Sequence, residues 1–333
     1  MNRNLARAAV VLMSAFALSG SGLAIQPGLL SAAGSSSEGC FDPVAAGAAA
    51  RGTTNARAND HRDITAAEIA RIEKQTKAIL AAKAKGQARP APSGGGTDPA
   101  GAAFNHIPVY VHQMLSASGA GRVTQAQIDA QIAELNQDYA GADQNGHTGT
   151  ANGDQPAKAN TGAQFYLAGV DEYLNNSWHT DRQSTTYRSQ TRKGGPKSLN
   201  IWLVDFSYLG IATFPWDYAR NPGIDGIRVQ YSSLPGGSAT NFNLGKTATH
   251  EAGHWLGLYH TFQGGCTSTN DEVADTPAQS SATSGCPEGR NSCSLPGLDP
   301  IHNYMDYSYD PCYDEFTAGQ SSRISSMWAA YRS

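Results

Sequence analysis

Residues 250 to 260 read HEAGHWLGLYH, and they constrain the local fold more tightly than any other part of the 333-residue chain. On a helix, His250 and His254 stand four residues apart and project from one face, where two imidazoles can reach a single cation. Glu251 falls on the neighbouring part of that face, placed to hold a water rather than the metal. Gly257 lets the chain leave the helix with φ above zero, and the turn returns His260 as a third ligand. Three nitrogen ligands and one position left for water describe a catalytic zinc site rather than a closed structural one. At typical residue frequencies the whole pattern arises by chance in roughly one chain in 10⁵ of this length. The remaining histidines, His61, His106, His112, His147, His179 and His302, lack ligand spacing and are expected on the surface or in the core.

The chemistry follows from the cation. Zinc lowers the pKa of a bound water to about 7, Glu251 can take the proton, and the same carboxylate can pass it to a leaving amine. Hydrolysis of a peptide bond is the reaction this arrangement implies. Two other readings use parts of the same set: a secreted zinc-containing binding protein without turnover, and a zinc amidohydrolase acting on a non-peptide substrate. Binding alone needs no acid–base residue, so the intact Glu251 argues against the first; the second shares the ligands and is not separated by them.

At the front of the chain, Arg3 and Arg7 precede the apolar run from Ala8 to Leu18. That run is too short to span a bilayer but has the length and flanks of a secretory signal peptide, so residues 1–24 are expected to be removed, with cleavage after Ala33 as the alternative. Export makes disulfides available to the five cysteines. Residues 34–96 carry nine Lys or Arg against six Asp or Glu, a net +3, whereas residues 97–333 carry 13 against 22, a net −9. A cationic leader joined to an acidic domain through RPAPSGGG at 89–96 has the form of a propeptide and linker, the propeptide lying on the domain as its inhibitor. Within it Thr65 as N-cap with Glu68, followed by Ile69, Ile72, Ile79 and Leu80, predicts a helix to Lys85. A net charge of −4 and a pI near 6.1 supply no global reason to bind nucleic acid or an anionic membrane.

The domain from 97 to 333 shows strand patterns at Phe104 to Met114, Gln164 to Tyr173, Leu199 to Phe206 and Gly226 to Ser232. Helical patterns begin after Thr124, near Lys246 and at Thr317. Strands mixed with helices, followed by a strand-poor last third with cysteines, indicate an α/β or α+β fold whose final part is cross-linked. Cys266, Cys286, Cys293 and Cys312 allow three pairings, and spacing does not choose among them. From Asn270 to Pro277 the oxygens of Asp271, Glu272, Asp275 and Thr276 follow in quick succession, a density that suits calcium.

The motif HExxHxxGxxH, the segments NYMDYS at 303–308, DEVADTP at 271–277 and ATFP at 212–215, and Thr261–Phe262 after the last histidine together resemble the pappalysin family of metzincin metallopeptidases, in its short microbial ulilysin-like form. The resemblance covers roughly residues 104–330. It implies a secreted endopeptidase made as a zymogen, with peptide or protein substrates. The implied fold is a twisted mixed sheet above an active-site helix, an upper subdomain to about residue 257, and an irregular disulfide-linked lower one. Carried over residue by residue, His250, His254 and His260 bind zinc, Glu251 is base and acid, Met305 supports the site and Tyr307 stabilises the tetrahedral intermediate. The family also places calcium in the 270–277 loop and favours Cys266–Cys293 with Cys286–Cys312. Ulilysin-like zymogens use a cysteine on the metal, a role Cys40 could fill in the zymogen. The Gly226 to Ser232 strand matches the family's upper-rim edge strand, with a free edge for an extended substrate. Asp310, just beyond Tyr307, is a candidate for attracting a basic side chain.

Overall fold

The computed structural model describes residues 64–87, 105–143 and 158–333. The signal sequence, Cys40 and the RPAPSGGG stretch lie outside the described residues. Helix α1 (Ala66–Gln87) begins as the sequence predicts: the Thr65 Oγ1 accepts from Glu68 N–H at 3.3 Å and the Glu68 carboxylate accepts from Thr65 N–H at 2.9 Å. Ile64, Ile69 and Ile72 are buried, each contributing about 1.5–3 kcal/mol relative to exposure.

Next come β1 (Ile107–Leu115), α2 (Gln125–Tyr139) and β2 (Phe165–Leu174), then the short helices α3 (Asn176–His179) and α4 (Ser184–Thr191). The strands β3 (Leu199–Val204), β4 (Gly210–Ala212) and β5 (Ile227–Gln230) complete a five-stranded sheet in the order β2-β1-β3-β5-β4. β2, β1, β3 and β5 run parallel, and β4 is antiparallel to β5. Every residue of β3 and β5 is buried, as expected of parallel strands covered on both faces. A capping box of Thr124 and Gln127 starts α2, which packs on β2 and on α5 (Lys246–Trp255).

One expectation needs correcting. The Gly226 to Ser232 segment was expected to present a free strand edge, but β5 lies between β3 and β4, so the outer edge on this side belongs to β4. With only three residues, β4 gives no period-2 pattern in the sequence; the ATFP segment beginning at its last residue is the nearest signal.

Both ends of α5 are anchored by buried charge. At the start, Lys246 Nζ donates to Asp138 Oδ1 at 2.7 Å and to Asp143, and Tyr304 OH donates to both carboxylates. At the end, the Arg332 guanidinium lies over the Trp255 ring at 3.6 Å, donates to the Trp255 carbonyl, and pairs with Asp225 at 3.1 Å. Buried charges are tolerated only when paired and hydrogen-bonded in this way. Beyond Trp255 regular structure among the described residues shrinks to a single turn at Asp310–Cys312, an isolated bridge between Asn303 and Glu315, and α6 (Ala318–Tyr331). Disulfides join Cys266 to Cys293 and Cys286 to Cys312 across this region. No helix of the described residues is long and apolar enough to cross a membrane.

Candidate active site

α5 carries His250, Glu251 and His254, all essentially buried. Gly257 (φ +101°) ends it, and a Cβ there would lie 2.5 Å from Met327 Cγ, so glycine is required twice over. The turn brings His260 back: His254 Nε2 is 3.1 Å from His250 Nε2 and 3.0 Å from His260 Nε2. His250 Nδ1 lies 2.6 Å from the Tyr304 carbonyl and His254 Nδ1 lies 2.8 Å from the Leu258 carbonyl. A carbonyl only accepts, so both Nδ1 atoms donate and their Nε2 atoms point lone pairs inward. Two inward-facing nitrogen acceptors with the Nε2 of His260 alongside, all within reach of one point, form a donor set for a single cation. The donor set therefore fits zinc, which favours imidazole nitrogen and is held with the opposite ring nitrogen tied to a carbonyl.

Aromatic rings close the pocket. Phe262 stacks on His260 at 4.8 Å, Phe214 meets His254 edge-on at 5.4 Å, and Tyr307 lies edge-on to His260 at 4.9 Å and 5.7 Å from the His250 ring. Met305 is wholly buried beneath α5: a Cβ added to Gly253 would come within 2.4 Å of its sulfur. Its own carbonyl accepts from Thr261 N–H at 3.2 Å. The 304–305 turn thus accepts from His250 through the Tyr304 carbonyl and from Thr261, next to His260, through the Met305 carbonyl. Below it, the buried Asp306 carboxylate accepts from Gln279 Nε2 and Thr283 N–H.

β4 lies directly on the general-base candidate. A Cβ at Gly210 would stand 2.4 Å from Glu251 Cγ and 2.5 Å from its Oε1. The face of β4 at Gly210 and the Glu251 carboxylate are therefore neighbours, a relation the sequence did not reveal.

The other expected residues fall as follows. Asp310 is buried, and its Oδ2 accepts from Leu244 N–H at 2.9 Å. Asp271 is fully buried, which pushes its carboxyl well above the ordinary carboxylate range. The Thr276 hydroxyl lies against it. Asp275 is engaged elsewhere: its oxygens accept from Thr317 Oγ1 at 2.7 Å and Gly319 N–H at 2.8 Å, at the N-terminus of α6. Asn270, not singled out from the sequence, has a buried Oδ1 with no protein donor. A second acidic group, Glu134, Asp138 and Asp143, is brought together at the foot of α5, where Lys246 already fills the space. Cys286, Glu288, His302 and Cys312 also cluster, but both cysteines are disulfide-bonded.

A mixed sheet above a histidine helix, a glycine turn and a buried methionine turn define a metallopeptidase of the metzincin class. The profile of the Peptidase M43 family, described as pregnancy-associated plasma protein-A, matches residues 206–329. An extracellular metalloprotease of Neurospora crassa is 45% identical over 235 residues, spanning 68% of this chain and 76% of the relative. Mature mirolysin of Tannerella forsythia, solved in complex with a cleaved peptide, superposes with a TM-score of 0.57 at 30% identity, covering 66% of this chain and 90% of that one. A promirolysin mutant from the same organism gives 0.60 at 28% identity, covering 78% of this chain and 89% of that one. The chain belongs to the M43 metallopeptidases, the pappalysins.

Proposed function

We propose that the protein is a secreted zinc-dependent endopeptidase made as a zymogen. The observation that carries the reading is the convergence of three imidazole Nε2 atoms on the helix and turn that carry Glu251, whose carboxylate packs against Gly210 of β4. Zinc bound by His250, His254 and His260 would supply a Lewis acid and lower the pKa of a bound water to about 7. An extended peptide pairs with β4, which aligns its main chain across the histidines. Glu251 takes a proton from the attacking water and returns it to the departing amine. The Tyr307 hydroxyl donates to the oxygen that becomes negative as the carbonyl turns tetrahedral. Asp310, ending the loop beyond Tyr307, gives the pocket after the scissile bond a preference for Arg or Lys.

Extracellular location rests on the signal-like N-terminus and on the named location of the Neurospora relative. Latency rests on Cys40, whose thiolate can occupy the fourth position on zinc until the leader is removed. The Ile64 carbonyl accepts from Gln263 Nε2 at 2.9 Å, three residues past His260. Calcium fits the 270–276 loop through the orphaned Asn270 Oδ1, the buried Asp271 and Thr276, with Asp275 the weakest of the proposed ligands.

The test is casein or gelatin cleavage after EDTA dialysis. Zinc alone is expected to restore cleavage, and zinc with calcium to restore thermal stability as well. Cleavage that survives complete metal removal would end the zinc reading; equal stability with and without calcium would end the calcium one.

A further inference from the structure

α1 is joined to the catalytic domain by core contacts rather than laid over its surface. Ile64, Ile69 and Ile72 enter the same apolar cluster as Trp255, Leu258, Tyr259 and Met305. Thr76 Oγ1 is 2.8 Å from Tyr331 OH, and Lys83 Nζ donates to the Ala329 carbonyl at 2.7 Å. One contact leads to the metal site. Glu73 Oε1 accepts from Arg323 Nη2 at 2.6 Å, and Arg323 Nε donates to the Gly257 carbonyl at 2.9 Å. The same guanidinium lies 4.6 Å over the Tyr259 ring, whose hydroxyl donates to Glu73 at 3.4 Å. Gly257 and Tyr259 bracket Leu258, whose carbonyl orients His254, and Tyr259 precedes His260. Arg323 is 8% exposed, so without Glu73 its charge would turn toward water and release the Gly257 carbonyl.

We propose that α1 is a permanent clamp on the zinc turn: Glu73 is a positioning residue acting through Arg323 on Gly257 and Tyr259, and the helix stays docked when the connector after it is cut. The inference rests on the zinc reading of the three histidines. It also divides the leader, leaving the residues ahead of Ile64 to latency and assigning α1 to the working enzyme.

The test uses the full chain with one specific protease site introduced within residues 89–96. After cutting, the fragment that contains α1 is expected to co-elute with the catalytic domain in gel filtration; elution as a separate species overturns the docking. In the zinc-loaded protein, Glu73→Gln and Arg323→Lys are expected to release zinc to a chelator about tenfold faster, with an unchanged far-ultraviolet circular dichroism spectrum. Their cobalt-substituted forms are expected to show an altered ligand-field absorption band. The exposed α1 substitution Lys74→Ala is expected to match the unmodified protein in both. Unchanged release and absorption in both Glu73→Gln and Arg323→Lys overturn the positioning role. Failure of the unmodified protein to bind stoichiometric zinc overturns the active-site reading instead, and the co-elution result is read without metal.

Discussion

Gly210→Ala is expected to damage catalysis far more than it damages folding. The added Cβ would sit 2.4 Å from Cγ, 2.6 Å from Cδ and 2.5 Å from Oε1 of Glu251, whereas carbon atoms in contact need about 3.5–4.0 Å. Backbone pairing holds β4 to β5, and α5 holds the Glu251 main chain, so the carboxylate must yield by about 1 Å. A misplacement of that size costs about 100-fold in rate, or about 2.7 kcal/mol at 1.36 kcal/mol per factor of ten. Overpacking adds about 1–3 kcal/mol of destabilisation, each kcal/mol lowering Tm by about 2–4 °C in a domain of this size. The assay compares kcat and KM on a peptide substrate with Tm and zinc content. Gly195→Ala, where an added Cβ meets nothing within 4 Å, serves as the control. A Gly210→Ala enzyme within twofold of the unmodified kcat would refute the apposition of β4 and Glu251; a loss that merely follows zinc content would relocate the damage to the histidines.

Two further substitutions address the scaffold. Met305→Ala opens a cavity under α5 where the sulfur meets Gly253, and is expected to cost about 2–5 kcal/mol in chemical denaturation with zinc retained, whereas a cost under about 1 kcal/mol would show that the turn is not packed as described. Burial pushes the Asp138 carboxyl up from 3.8 to about 7, against the opposing pull of Lys246. The folded state therefore holds this proton where the unfolded chain has lost it, so the group's stabilisation is full below its unfolded pKa and fades as pH rises toward about 7. Unfolding free energies measured across that window should slope downward with pH in the unmodified protein and less so in Asp138→Asn; identical slopes would reject the assignment.

The parts legible in the sequence were those written in short-range spacing. His250, His254, Gly257 and His260 sit within one helix and one turn, and Thr65, Thr124 and Thr317 cap helices by rules that span three residues. The resemblance to pappalysins supplied what spacing does not, including the methionine turn and the cysteine pairing that the structure also contains. What escaped is assembled from distant segments. Asp138, Asp143, Lys246 and Tyr304 meet from three stretches of the chain, and each alone looks like an ordinary surface or core residue. β4 is too short to show alternation, so the edge was assigned to β5 one strand too far inward. Asp275 looked like one more acidic oxygen in a calcium loop because its partners, Thr317 and Gly319, lie more than forty residues downstream.

Peptide cleavage by Glu251→Gln, with zinc content measured on the same samples, tests the central claim most directly. Glutamine keeps the volume against Gly210 but removes the base, so zinc content is expected to stay at one per chain while kcat/KM falls by about 10²–10⁴, the span of acid–base catalysis. Cleavage at the unmodified rate by a fully loaded Glu251→Gln protein would contradict the assignment of Glu251 and the mechanism built on it.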